Sequence, residues 1–327
     1  MAGRRQKKSG RRSYAWRYRG RIVACVFVEV IIICALVIMI GWNKGVKEWF
    51  EQFEQPVLKE VDISGINSPN AILMQARGGK ILGEINGEAQ IYPASMTKIM
   101  TVILGIENFD DLDEKITLTN EMFSGLYEQD ATQAGFQPGE EVRVIDLLYG
   151  AMLPSGAECC IALADTISGS EADFAELMNK KARKLGMENT HFCDSTGLHN
   201  PDHYSTVKDI AVLMKYCIKN DTFREIVETS RHSTGVTNIH PDGITYYSTM
   251  FKNLSDPTVT GGKILGGKTG YTSEAGHCLV SFAEIEGREY IFVSAGASGA
   301  DGNTIPHIQD AVTVYNRVGA AIEAKMN

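Results

Sequence analysis

The sequence predicts an α+β fold: one antiparallel five-stranded sheet flanked by helices, with an all-helical lobe inserted, preceded by one transmembrane helix. Three observations carry this prediction. Strand-like runs gather at both ends of the body while helical runs fill its middle, so the ends must meet in a single sheet. An unbroken apolar run, residues 22–42, precedes the body. The 327 residues suffice for one large core plus terminal extras.

The first 21 residues hold nine Lys or Arg and no acid. The next 21, IVACVFVEVIIICALVIMIGW, are long enough as a helix to cross a hydrocarbon core of about 30 Å. Glu29 is the one charge in this span. The basic side should stay in the cytoplasm, which sends the body across the membrane. A cleaved signal peptide is the competing reading, but no A-x-A-like site follows. In residues 43–60, Val46, Trp49, Phe50, Phe53 and Val57 fall at helical spacing and Pro56 ends the run, so this is a juxtamembrane stalk. The body, 61–327, begins near Val61. Beyond the arm the chain carries 23 basic and 40 acidic residues, which argues against a nucleic-acid partner.

Within the body, 71–76 and 80–85 form a hairpin around Arg77-Gly78-Gly79. Tyr92-Pro93-Ala94-Ser95 starts a helix that continues through MTKIMTVILGIE. Residues 142–153 and 157–167 are two apolar helices separated by Pro154-Ser155-Gly156. An amphipathic helix over 171–185 stops at Gly186, and another spans 206–218. Residues 263–265 lead into Lys268-Thr269-Gly270. Runs 277–285 and 289–295 are strands joined by Glu286-Gly287-Arg288, and 306–324 closes as a helix. Cys25 and Cys34 fall in the apolar span; the other five cysteines show no disulfide framework, with Cys193–Cys217 as one conceivable bridge.

The stretch GGKILGGKTG matches the phosphate-loop pattern G-x-x-x-x-G-K-[ST] over 262–269. A phosphate loop must open a helix, whose N-terminus holds the phosphates. Here GYTSEAG leads into HCLVSFAEI, a strand. The Lys-Thr-Gly needs another reading. Ser95-Met96-Thr97-Lys98 supplies an S-x-x-K partner. At a helix start, i and i+3 share a face, so the amine reaches the hydroxyl. A buried lysine near a second cation gives up its proton more readily and can act as a base. Ser205-Thr206-Val207-Lys208 repeats the pattern, but a plain helix cap at Ser205 explains it. His199 and His203 are spaced like a helical metal pair, yet Pro201 between them makes a polar loop the better reading.

The stretches YPASMTKIMT, LLYGAMLPSGAECCIALAD, TGLHNPDHYST and GGKTGYTSEAGHCLV closely resemble the serine-type D-alanyl-D-alanine carboxypeptidases, low-molecular-mass penicillin-binding proteins of the β-lactamase/transpeptidase-like fold. The resemblance covers roughly residues 61–324. It implies Ser95 as the nucleophile, Lys98 as its base, and Ser155 as a proton relay toward the leaving D-alanine. Lys268 and Thr269 would fix the substrate's terminal carboxylate, with Gly270 and Tyr271 completing the edge. The Ser95 and Tyr271 amides would meet the oxyanion. The implied partners are a peptidoglycan stem peptide, β-lactams as covalent inhibitors and, through the N-terminal helix, the cell membrane; no metal or organic cofactor is implied. Two departures stand out. The usual Ser-x-Asn is Ser155-Gly156-Ala157, with Glu158 as a candidate to fill part of the gap. Residues 289–316 lack the Arg or Lys that relatives often place near the last helix, with His307 as a candidate substitute. A non-catalytic muropeptide-binding sensor and a β-lactamase-like hydrolase are the alternative functions.

Overall fold

A computed structural model describes residues 58–299 and 305–326. The basic arm, the predicted anchor and the stalk as far as residue 57 lie outside the described residues. No helix among those described is long and apolar enough to cross a membrane.

The chain opens with the predicted hairpin, β1 (Asn70–Gln75) and β2 (Ile81–Ile85). A 3₁₀ turn, Ala94–Thr97, then runs straight into α1 (Lys98–Asn108). The small pair β3 (Lys115–Thr117) and β4 (Glu141–Arg143) leads to α2 (Val144–Met152), α3 (Ala157–Ser168) and α4 (Glu171–Leu185). Next come α5 (Val207–Cys217), α6 (Asp221–Glu228), the pair β5 (Arg231–Ser233) and β6 (Thr245–Tyr247), and α7 (Thr249–Asn253). The chain returns to the main sheet with β7 (Thr258–Val259), β8 (Gly262–Thr272), β9 (Gly276–Ile285) and β10 (Arg288–Ala297), and ends in α8 (Pro306–Met326).

The main sheet is antiparallel with strand order β2-β1-β10-β9-β8-β7. The two ends of the body therefore meet where β1 pairs β10, Asn70 against Ala295. The sheet has six strands rather than five. The extra one, β7, is two residues long and pairs only with Lys263 and Gly262, too short to leave a period-2 pattern. The short elements β3–β6, α6 and α7 escaped for the same reason. The helix over 207–217 is capped by Thr206 rather than Ser205. Thr206 is the extended residue whose Oγ1 accepts the Asp209 amide at 3.0 Å, while Ser205 is already engaged in a bridge to Ile91. Cys193 and Cys217 are free thiols, and Cys217 is buried in the α5 face.

Each central strand buries both faces. Ile72, Val280, Phe282, Ile291 and Val293 face a core shared with α1 to α6. Leu73, Leu279, Ala283 and Phe292 face a second core with Val314, Tyr315, Val318 and Ile322 of α8. Leu58, Val61 and Ile63 close that second core from the N-terminal side. Successive residues of a strand alternate faces, so strands buried on both sides read as continuous apolar runs. Burying each such side chain contributes about 1.5–3 kcal/mol. Rigid packing on both sides gives β8 a fixed position from which to build a site.

Candidate active site

Ser95 sits in the turn between Ala94 and Thr97, one turn ahead of Lys98. The turn is held in an uncommon shape: Ala94 has φ +47. Gly197 accommodates it. A Cβ on that glycine would lie 1.9 Å from the Ala94 carbonyl oxygen. Lys98 is 3% exposed. Its Nζ donates to Ser95 Oγ at 3.1 Å and to the Thr196 carbonyl at 2.6 Å. The S-x-x-K spacing thus does what its period suggested: it stands the amine against the hydroxyl.

The turn between α2 and α3 supplies Ser155. It too is left-handed, at φ +74, and buried. Ser155 Oγ accepts from Lys268 Nζ at 3.0 Å. Lys268 is 1% exposed and also donates to the Thr269 carbonyl at 2.8 Å. Burial first, then the charge of Lys98, holds the Lys268 amine well below the ordinary lysine range. Two lysines thus flank two serines, each amine against one hydroxyl. Thr269 Oγ1 lies 2.7 Å from Thr249 Oγ1 of α7. Gly270 brings β8 close against the Ser95 turn: a Cβ there would meet Ser95 N at 3.0 Å and Pro93 O at 3.1 Å. Ser95 and Tyr271, next in β8, both line the groove that this contact borders. Tyr271 itself is 61% exposed on the rim.

Ser95, Ser155, Thr269, Gly270 and Tyr271 all line one groove of about 370 Å³, together with Asp130, Thr132, His277 and His307. It follows the β8 edge beyond the short β7 pairing. The phosphate-loop reading has no support in this geometry: β8 turns directly into β9, and no helix opens after Thr269.

One sequence-based expectation needs correction. Glu158 is not among the groove's lining. It is buried, and its Oε1 accepts the Ala134 and Gly135 amides at 2.6 and 2.9 Å. Burial raises its carboxyl. Ala157 is 1% exposed, and its amide donates to the Thr132 carbonyl at 2.8 Å. Residues 199–203 form a non-helical loop, as Pro201 implied, and within it His203 is 2% exposed. Its ring bridges Thr97 Oγ1 at 2.9 Å and Asp194 Oδ2 at 3.0 Å. Asp194 Oδ1 in turn accepts from the Thr196 and Gly197 amides at 2.7 and 2.6 Å. Burial works to raise the Asp194 carboxyl, but the hydrogen bond and charge of His203, with Thr196 and Gly197, bring it down to about 2. This chain of contacts fixes the Thr196 carbonyl that receives Lys98. Sequence reasoning missed it. The available signal was Asp194-Ser195-Thr196-Gly197, a turn in which an aspartate side chain captures following amides. Among the described residues no three His, Cys, Asp or Glu side chains gather as a metal site requires.

Comparison with known proteins agrees with this architecture. The D-alanyl-D-alanine carboxypeptidase family pattern matches residues 57–299. D-alanyl-D-alanine carboxypeptidase DacF of Bacillus subtilis is 35% identical over 231 residues, which cover 70% of this chain and 57% of that one. A D-alanyl-D-alanine carboxypeptidase of a Streptomyces species is 35% identical over 236 residues, 70% of this chain and 78% of its own. The chain spans 57% and 58% of the length of the Bacillus subtilis relative and of Escherichia coli DacC. The crystal structure of a Streptomyces DD-transpeptidase superposes with a TM-score of 0.70 at 29% identity, covering 80% of this chain and all of that one. With the two Ser–Lys pairs on one groove and a family pattern spanning most of the body, the chain belongs to the D-alanyl-D-alanine carboxypeptidase family.

Proposed function

We propose that this protein is a serine D-alanyl-D-alanine carboxypeptidase that removes the terminal D-alanine of peptidoglycan stem peptides through an acyl-enzyme on Ser95. One observation carries the reading: the Lys98 amine lies against the Ser95 hydroxyl while the Lys268 amine lies against Ser155, on one groove.

Ser95 Oγ attacks the carbonyl of the penultimate D-alanine, and its proton passes to Lys98 Nζ. Negative charge on the tetrahedral oxygen faces the Ser95 and Tyr271 amides. Ser155 gives its proton to the departing D-alanine nitrogen and is resupplied, by way of Lys268, with the proton that Lys98 took from Ser95, which leaves Lys98 a free base again. The C–N bond breaks, leaving the acyl ester. Water then attacks the ester with Lys98 as base, and Ser95 regains its proton. The stem peptide lies along the β8 edge as an added strand. A β-lactam follows the first half of this path, but its leaving nitrogen stays tethered, so the ester persists.

The relatives' names include both carboxypeptidase and transpeptidase. In this reading water is the acceptor. The protein further acts at the membrane: residues 1–21 remain cytoplasmic, 22–42 anchor the chain, 43–60 form the stalk, and the body works outside.

The experiment is acylation by a fluorescent penicillin, followed by turnover of a diacyl-Lys-D-Ala-D-Ala peptide. Label on wild type, none on Ser95→Ala, and released D-alanine are expected. Muropeptide binding without label would instead favour a sensor, and fast loss of label a β-lactamase. Protease accessibility of the body in intact cells tests the topology; a protected body overturns it.

A further inference from the structure

The groove has an uneven supply of charge. Asp130 is the one acid among its lining residues, and none of them is lysine or arginine. The lining side chains able to become cationic are His277 on β9 and His307 on α8. Their rings stack with centroids 5.0 Å apart and planes within 6°. Tyr271 continues the row, 4.7 Å from His277. His307 is 4% exposed, and its Nδ1 has no hydrogen-bond partner. A buried nitrogen in that state costs free energy unless something joins it.

Burial lowers His277. Burial and then the neighbouring His277 lower His307 to about 4, with Asp310 working in the opposite direction. The titratable groups facing the pair are Tyr271 from β8, Asp310 from α8 and Asp130 on the groove. Asp310 is already occupied: its two oxygens accept from the amides and side chains of Asn67 and Ser68. Asp310, the acid on the same helix as His307, is therefore not free to serve the pair as counter-ion, which leaves Asp130 as the one acid on the groove.

We propose that the His277–His307 pair receives the free C-terminal carboxylate of the peptide and takes up a proton as it does so. The inference rests on the D-alanyl-D-alanine peptidase reading above. An opposite charge within about 4–6 Å favours the imidazolium. Uptake of one proton on binding makes affinity for the carboxylate rise as pH falls, by at most about tenfold per pH unit.

The test uses the full chain and a penicillin with either a free carboxylate or its methyl ester. The ratio of their Ser95 acylation rates cancels ionisation at Ser95 and the lysines. In wild type this ratio should rise about tenfold from about pH 8 to about pH 5. His277→Gln should flatten the rise, and His307→Arg should leave the preference high and independent of pH. A flat ratio in wild type, or an unchanged rise in both variants, overturns the proposal while leaving the acylation reading intact. If no acylation occurs at all, the enzymatic reading fails first. The pair is then judged by NMR titration of its imidazoles with N-acetyl-D-Ala-D-Ala: titration of His307 moved upward supports it, and an unmoved curve overturns it.

Discussion

At Ser155 a non-glycine residue holds φ +74, and at Ala94 another holds φ +47. Such conformations cost roughly 1–3 kcal/mol and persist where surrounding structure dictates them. Both flank the groove, and each precedes or carries a reacting hydroxyl. Lys268 adds a second expense, a buried amine. Its ordinary value is 10.5 and its folded value lies well below. The unfolded chain therefore binds more protons between those values, so this residue's contribution is full above the ordinary value and is lost as pH falls toward the folded one. Denaturant unfolding of wild type should show stability rising from neutral toward alkaline pH relative to Lys268→Met, and Lys268→Met should lose acylation. Equal pH slopes in the two proteins would contradict this. Ala157→Asn adds a side-chain amide two residues after Ser155, where Ala157 supplies none. One positioned donor is worth about 10²–10³ in rate. A rise of at least tenfold in kcat/KM on the diacyl peptide is expected; an unchanged or lower rate would show that the missing amide is not limiting.

At the scale of elements, the site depends on how closely β8 approaches the Ser95 turn. Gly270→Ala places a Cβ 3.0 Å from Ser95 N and 3.1 Å from Pro93 O, both backbone atoms that cannot swing away. We expect a cooperatively folded protein with acylation reduced by about two orders of magnitude, since displacements near 1 Å in a site carry that penalty. Retention of the wild-type rate would show that the approach is not needed. The turn over 194–197 is the second such element. Asp194 sits near 2 against an ordinary 3.8, so its stabilising contribution is present above the ordinary value and lost as pH falls through the folded one. Asp194→Asn should lower stability by about 1–3 kcal/mol near neutral pH and flatten the acid limb of the unfolding profile. It should also slow acylation, because Lys98 loses its fixed carbonyl acceptor. An acid limb identical to wild type would remove Asp194 from this role.

These elements also mark what the sequence disclosed. Ser95-Met96-Thr97-Lys98 and Lys268-Thr269-Gly270 were visible because their chemistry depends on local spacing and on a strand that leads nowhere helical. The hairpin β1–β2 and the strands β9 and β10 were visible as apolar runs bounded by Gly-rich turns. The Asp194–His203–Thr97 chain was not, because it joins residues about a hundred positions apart through side-chain direction, which no periodicity records. His277 escaped for a related reason. On a strand it is one of ten alternating residues, and only the arrival of α8 sets a second imidazole against it. Ser205 and Thr206 are both able caps, and the choice between them was made by the distant bridge to Ile91.

At the scale of the whole molecule, the sheet is closed by pairing Asn70 with Ala295, and its outer core is closed by α8. Removing α8 would uncover Leu279, Ala283, Tyr290 and Phe292 at once. A chain ending at residue 304 should therefore aggregate or bind a hydrophobic dye strongly, and soluble, penicillin-labelled protein of that length would refute the two-core account. The pairing of the sheet's first and last strands has a consequence for biosynthesis. A ribosome delivers Ser95 early, but β8 to β10 appear only near the end of translation. Every growing chain is thus inert toward antibiotic until synthesis is nearly complete, and a pulse of penicillin during production should spare the nascent pool and mark finished molecules alone.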